Sequence, residues 1–275
     1  MNNNNIDKKR TGSEEIDKII DNMSLMDNEL MAKVFDENKP ATELLISTIL
    51  QQEVVVKRTK GQFEMRNHLP KGRNIRLDIF AEDETGRYFD CEVQRASAGA
   101  SPKRVRFHSA MLDSRMLKEG QEFDEINDSY VIFITEEDYY EEGQPLYYVD
   151  RKVSIGRDFN DGNHIIYVNG SYDSDDDIGR LLADMRNRTT EGFNNKELED
   201  SVRHFKVDNE GRENMSEIVE NYAKKYAEDQ VKQGIEQSKL QSIKEIMKNL
   251  KLTAEQALDA LGIPKSEHQK YINML

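Results

Sequence analysis

Two stretches of alternating apolar and polar residues, separated by a short polar turn, give the clearest structural prediction in the chain. The first covers residues 73–80, the second covers residues 88–94, and the turn between them contains Gly86. Alternation with a period of two is typical of β-strands, so the pattern predicts a β-hairpin.

Two acidic side chains meet across this predicted hairpin. Folding it about Thr85 places Asp78 opposite Glu92, while Cys91 points to the other face of its strand. Carboxylates that face each other across two strands repel, and a divalent cation bound between them would offset that cost. The pair therefore predicts a metal-dependent phosphodiesterase site, although a solvent-facing hairpin that merely carries two acids is the simpler alternative.

The remaining pattern predicts a mixed α/β fold. Helical spacing of apolar residues and capping signals alternate along the chain with short apolar runs that are typical of strands. The order helix, three strands, helix, strand describes the predicted core. Predicted helices cover residues 27–35, 40–50, 103–118 and 178–188, and predicted strands cover residues 52–65, 130–135, 147–153 and 164–168.

Composition divides the chain into four segments. We expect a polar lead-in, a folded α/β domain, a long polar helix and a small helical hairpin, the last beginning with a capping box at Thr253 and Gln256. These segments are residues 1–26, 27–205, 206–250 and 251–275.

The charge distribution partly offsets an objection to nucleic-acid binding. The 275 residues carry a net charge of −14, which disfavours a polyanionic partner. Residues 51–118, however, hold 14 lysines and arginines against 9 aspartates and glutamates, a net of +5, so the rest carries −19. A single cysteine and the lack of a long apolar run predict a cytoplasmic protein with no membrane span.

Asp78 followed by Glu92-Val93-Gln94 resembles the signature of PD-(D/E)XK nucleases, in the recombination-promoting nuclease (Rpn) or putative transposase branch, where Gln replaces the usual Lys. Further segments resemble this branch in the same order, and they extend the resemblance over most of residues 27–205 and the C-terminal tail. They are residues 44–50, 103–112, 130–134, 165–169 and 252–264.

The resemblance implies a restriction-endonuclease-like core with a C-terminal helical extension. It implies that Asp78, Glu92 and the backbone carbonyl of Val93 bind Mg²⁺, with Mn²⁺ as an alternative ion. Gln94 would orient a phosphate or water, since its amide carries no charge. Glu43, on the preceding helix, would be a third acid of the site.

The predicted function is a Mg²⁺-dependent DNA endonuclease that is linked to recombination or transposition. Hydrolysis would use a water that the cation activates, and the predicted DNA contacts are Arg76, Lys103, Arg104 and His108. An ordinary solvated helix face explains the last three equally well. A non-catalytic nuclease-like scaffold and a phosphoesterase of small nucleotides are the competing functions. The C-terminal helices are candidates for a homodimer contact.

Overall fold

A mixed six-stranded sheet lies at the centre of the N-terminal part of the protein. The computed structural model describes residues 14–95 and 97–275. The strands are β1 (Val56–Met65), β2 (Ile75–Asp83), β3 (Tyr88–Gln94), β4 (Ser129–Thr135), β5 (Leu146–Val149) and β6 (Asn163–Asn169). The helices are α1 (Glu14–Asn22), α2 (Asn28–Val34), α3 (Lys39–Leu50), α4 (Pro102–Asp113), α5 (Asp177–Arg186), α6 (Lys196–Val207), α7 (Asn209–Leu250), α8 (Ala254–Ala260) and α9 (Lys265–Ile272).

The strand order is β1-β2-β3-β4-β6-β5. Strands β1, β2 and β3 form an antiparallel meander, joined by a longer hairpin loop between β1 and β2 and by a short turn between β2 and β3. Strand β4 pairs with β3 and β6 in parallel, whereas β5 closes the far edge antiparallel to β6. A parallel pair needs a crossover connection, and between β3 and β4 that crossover contains α4.

Helices cover both faces of the sheet. On one face α4 packs on β3 and β4, and a core forms from residues such as Leu112, Val131 and Phe133. On the other side α2 and α3 pack against β1 and β2. Strand β4 is buried along its whole length, which explains its continuous apolar sequence.

The predicted fold class and the core order of helix, three strands, helix and strand are confirmed. Three predicted elements are shorter than expected, and one of them, β1, begins at Val56 rather than at residue 52. Helix α4 ends at Asp113 because the chain turns there, with the Ser114 hydroxyl donating to the carbonyl of Met111 at 2.8 Å. Strand β5 ends at Val149.

Two parts of the chain are more ordered than the sequence indicated. In the described part of the lead-in, Ile20, Leu25 and Met26 are buried, so residues 14–26 pack onto the domain. Helix α6 was not predicted, although Leu198 and Val202 are four residues apart and both buried. Residues 1–13 of the predicted lead-in lie outside the described residues.

The chain divides into two compact units, with the boundary between Ile218 and Val219 inside α7. The second unit has its own small core, made by Ile243, Ala257, Leu258, Ile263 and Tyr271. No helix in residues 14–95 or 97–275 is both long enough and apolar enough to cross a membrane.

Candidate active site

Asp78 and Glu92 meet at the end of the β2–β3 ladder, as the hairpin pattern predicted. Ile79 pairs with Cys91, and the next residues outward are Asp78 and Glu92. The backbone N–H of Asp78 donates to Glu92 Oε1 at 2.9 Å, and the N–H of Val93 donates to Asp78 Oδ2 at 3.1 Å. Each carboxylate therefore binds the backbone of the opposite strand, which holds both side chains in place.

A third carboxylate and a histidine complete a buried cluster. Asp90 precedes Glu92 by two residues, so the two side chains share a strand face. Asp90 Oδ2 lies 2.8 Å from His108 Nδ1 on α4. Ligand atoms of Asp90, Glu92 and His108 all lie within 4.8 Å of one another, a spacing that could accommodate a metal ion.

Arg104 joins this cluster to Gln94. Its Nη2 donates to Glu92 Oε2 at 3.0 Å, and its Nη1 donates to Gln94 Oε1 at 3.1 Å. The amide of Gln94 donates to Glu92 Oε2 at 3.4 Å. The guanidinium thus places a fixed positive charge next to the amide of Gln94, which carries none.

His108 lies behind Arg104 and is 3% exposed. Its Nε2 is 3.4 Å from Arg104 Nε, which can only donate, so Nε2 accepts and the ring proton is on Nδ1. That proton points to Asp90. Burial lowers the pKa of His108, which agrees with a neutral ring.

The three carboxyl groups resist ionising together. Burial raises the pKa of Asp78 to about 6, although the N–H of Val93 acts against this rise. Burial and the neighbouring carboxylates hold the pKa values of Glu92 and Asp90 well above their usual range. Additional positive charge would relieve this repulsion.

The donor set is compatible with a divalent cation. Carboxylate oxygens are the ligands that Mg²⁺ and Mn²⁺ prefer. The second oxygen of Asp90, Oδ1, is buried and has no hydrogen-bond partner among the described residues. An unpaired buried acceptor is costly, so the residues present fit a bound cation.

A basic groove of about 490 Å³ lies beside this cluster and meets it at Arg104 and His108. All four predicted DNA contacts, Arg76, Lys103, Arg104 and His108, line it. Arg76 and Lys103 are exposed, and Arg104 is partly buried. The groove is also lined by Arg73, Asn74, Ile75 and Phe107.

Glu43 is not brought to the cluster, which corrects its prediction as a third acid of the site. Its Oε1 accepts from the backbone N–H of Val56 at 2.8 Å, at the start of β1. Val56 pairs with Asp83, five residues along β2 from Asp78. At about 3.3 Å per residue this is roughly 16 Å of strand, so Glu43 caps the opposite end of the meander.

Two features of the site were not recognised in the sequence. Asp90 was overlooked, although its spacing of two from Glu92 places it on the same strand face. His108 was predicted to contact DNA, but it is buried against Asp90. Its spacing of four from Arg104 correctly indicated a shared helix face, and the missing information was the direction in which that face points.

Comparison with known proteins gives the family of this chain. The family described as PD-(D/E)XK nuclease family transposase matches residues 30–169, which are 140 of the 275 residues. The matched region contains β2, β3 and α4, and so the whole carboxylate cluster. No curated protein and no solved structure shows a significant match. The chain therefore belongs to the PD-(D/E)XK nuclease family transposases.

Proposed function

We propose that this protein is a Mg²⁺-dependent DNA endonuclease of the recombination-promoting (Rpn) type, acting in recombination or transposition in the cytoplasm. The observation that carries the proposal is the buried cluster of Asp78, Asp90 and Glu92 beside a basic groove. Acidic groups that bind a cation, next to basic groups that bind phosphates, are the two requirements of phosphodiester hydrolysis.

In this proposal Asp78, Glu92 and the backbone carbonyl of Val93 hold the ion, which is Mg²⁺ or Mn²⁺. The bound cation would neutralise charge on the phosphate and activate the attacking water. Asp90 and His108 offer a second donor set with Glu92. We favour the all-oxygen set because Mg²⁺ prefers oxygen to imidazole nitrogen.

The other side chains position the substrate. Arg104 supplies positive charge at the position where Gln94 supplies only an amide, and Gln94 orients a phosphate oxygen or a water. Arg76 and Lys103 contact backbone phosphates from the exposed rim of the groove. His108 does not contact DNA in this proposal; together with Asp90 it holds Arg104 in place.

The test is cleavage of supercoiled plasmid by purified protein with Mg²⁺, with Mn²⁺ and with a chelator. We expect nicking that depends on the ion and is abolished in Asp78→Asn and in Glu92→Gln. Asp113→Asn is the matched control, because Asp113 is a partly buried aspartate at the other end of α4, bonded to Ser129 at 2.8 Å. That variant should nick at the wild-type rate.

Nicking that persists in Asp78→Asn would refute the assignment of the site. If the wild type neither cuts DNA nor gains melting temperature with Mg²⁺ or Mn²⁺, the nuclease-like scaffold becomes the better description. Turnover of small nucleotides without cleavage of duplex DNA would instead indicate a phosphoesterase.

A further inference from the structure

The tip of the β1–β2 hairpin is a strongly basic segment near the site. We call residues 66–76 the hairpin arm. It contains Arg66, Lys71, Arg73 and Arg76, together with His68, and no aspartate or glutamate. In a chain with a net charge of −14, a segment of +4 without a single acid is a local reversal of sign. Such a segment attracts a polyanion at short range.

Hydrogen bonds hold the hairpin arm in one shape. The backbone N–H of Asn67 donates to Asn74 Oδ1 at 2.9 Å, and the N–H of Gly72 donates to the carbonyl of Leu69 at 2.9 Å in the tip turn. Arg115, just after α4, donates to the carbonyl of Arg66. A preformed surface loses little conformational entropy on binding.

The hairpin arm ends in an exposed apolar side chain. Leu69 is 72% exposed at the tip and is followed by Pro70. Basic residues flank it on both sides. Proteins that bind DNA grooves combine the same two features, cations for the phosphates and an apolar side chain for the groove surface.

The hairpin arm is continuous with the basic groove of the site. Arg73 and Arg76 belong to the arm and line the groove together with Lys103 and Arg104. Strand β2 begins within the arm, at Ile75, three residues or roughly 10 Å of strand from Asp78. Since a duplex rises about 3.4 Å per base pair, this corresponds to about three base pairs.

We propose that the hairpin arm is a second contact surface for duplex DNA, which binds the helix a few base pairs from the phosphate at the carboxylate cluster. The inference rests on the proposed nuclease function only for the position of that phosphate. Arg66, Lys71 and Arg73 bind backbone phosphates, and Leu69 packs into the groove between them.

A second hairpin of the same domain provides a matched control. Residues 150–161 also carry an exposed apolar side chain, Ile155, which is 73% exposed. Their charges are balanced, with three lysines and arginines and three aspartates. Each hairpin has one loose surface ion pair at 3.7 Å, Arg66 with Glu64 and Lys152 with Asp158. Residues 150–161 contain a further ion pair, between Arg151 and Asp161, which the control variant leaves in place.

The experiment measures binding of the full-length protein to a short DNA duplex in a chelator, over a range of salt concentrations. The arm variant is Arg66→Gln with Lys71→Asn, and the control variant is Lys152→Gln with Arg157→Gln. Asparagine suits position 71 because the backbone there has a φ of 62°, which asparagine tolerates well. A second pair, Leu69→Ser and Ile155→Ser, tests the apolar contact.

We expect the arm variant to reduce the slope of log affinity against log salt by roughly 1.8, because each lost phosphate contact contributes about 0.9. Leu69→Ser should weaken binding by roughly threefold to tenfold at every salt concentration without changing the slope. Both control variants should bind like the wild type.

Equal salt slopes for the arm variant and the wild type would overturn the proposal, and so would tighter binding to single-stranded DNA or RNA of the same length. Plasmid nicking measured in parallel separates this proposal from the proposed function. Binding that depends on the arm, without any nicking, would support the arm and refute the nuclease. Nicking with unchanged salt slopes would support the nuclease and refute the arm.

Discussion

Asp78 and Asp83 lie on the same strand and are both buried, yet their surroundings shift their pKa values in opposite directions. Burial dominates at Asp78 and raises its pKa to about 6. At Asp83 burial also acts to raise the pKa, but hydrogen bonds from Arg87 and Thr85 outweigh it and lower the pKa. The first carboxylate therefore costs stability when it is charged, and the second contributes stability.

Asp78→Asn should stabilise the protein at neutral pH. The folded pKa is above the unfolded one, so stability falls as the pH rises from about 4 to 6. The shift corresponds to at most about 3 kcal/mol of unfolding free energy. Asparagine avoids this loss and can still accept from the N–H of Val93. Denaturant unfolding should show a higher unfolding free energy for the variant than for the wild type at pH 8, and this difference should disappear near pH 4. A lower unfolding free energy at pH 8 would contradict the prediction.

Asp83→Asn should have the opposite effect. It removes the ion pair between Asp83 Oδ2 and Arg87 Nε, which are 2.6 Å apart, at a cost of about 2 kcal/mol. Because the folded pKa is lowered, the wild-type advantage is present above the unfolded pKa and is lost as the pH falls through the folded one. Unfolding measured at pH 7 and near pH 2 tests this, and a penalty independent of pH would count against it.

Cation binding should also depend on pH through Asp78. An ion that binds the carboxylate must displace its proton. We therefore expect the rise in melting temperature caused by Mn²⁺ to shrink as the pH falls below about 6. Calorimetric titration at pH 5.5 and 7.5 provides a second measure, and equal affinities at the two values would exclude Asp78 as a ligand.

At the scale of elements, β1 approaches α2 more closely than a side chain would allow. A Cβ at Gly61 would lie 2.0 Å from the carbonyl oxygen of Ala32, and the N–H of Gly61 donates to Asp36 at 3.1 Å. The contact involves backbone on both sides, so neither can turn away. This close packing holds the antiparallel meander, and with it β2, against the helix.

Gly61→Ala should therefore separate β1 from α2 and lower the unfolding free energy by roughly 2 kcal/mol or more. Gly234, inside α7, is the matched control because no atom in the described part of the chain lies within 4 Å of its added Cβ. Gly234→Ala should instead stabilise the helix by about 1 kcal/mol. Thermal unfolding compares the two, and similar changes in both variants would contradict the packing argument.

Much of the core could be predicted because its pattern is local. The turn between β2 and β3 is short and allows one register of the hairpin. The alternation of apolar and polar residues was therefore enough to predict that Asp78 lies next to Glu92. The position of Glu43 depends on which end of β1 the helix α3 meets, and the role of His108 depends on how α4 is rotated against the sheet. Both depend on long-range packing, and the spacing of residues within one segment carries no information about it.

At the scale of the whole molecule, the two compact units have very different cores. Residues 219–275 bury few large side chains, and a core of this size contributes only about 3–5 kcal/mol. A homodimer through these helices remains a prediction, and it would add buried surface to a unit that has little. Sedimentation of the full-length protein tests it directly.

Leu258→Ala should unfold the second unit selectively. Truncating a buried leucine costs about 2–5 kcal/mol, which is comparable with the whole stability of so small a core. We expect rapid proteolysis within residues 219–275, while the sheet unit stays resistant and keeps its melting transition. Uniform loss of both units would show that they unfold together.

The bond between Arg104 and Glu92 also affects how mutant phenotypes in cells should be interpreted. Removing the carboxylate of Glu92 also removes the ion pair with Arg104, which keeps its hydrogen bonds to Gln94 and His108. A defect in such a strain therefore has two causes. An Asp78→Asn allele leaves that ion pair intact, and its product should persist in the cell at least as long as the wild type. A phenotype of this allele could then be attributed to the lost activity of the site rather than to a lower amount of protein in the cell.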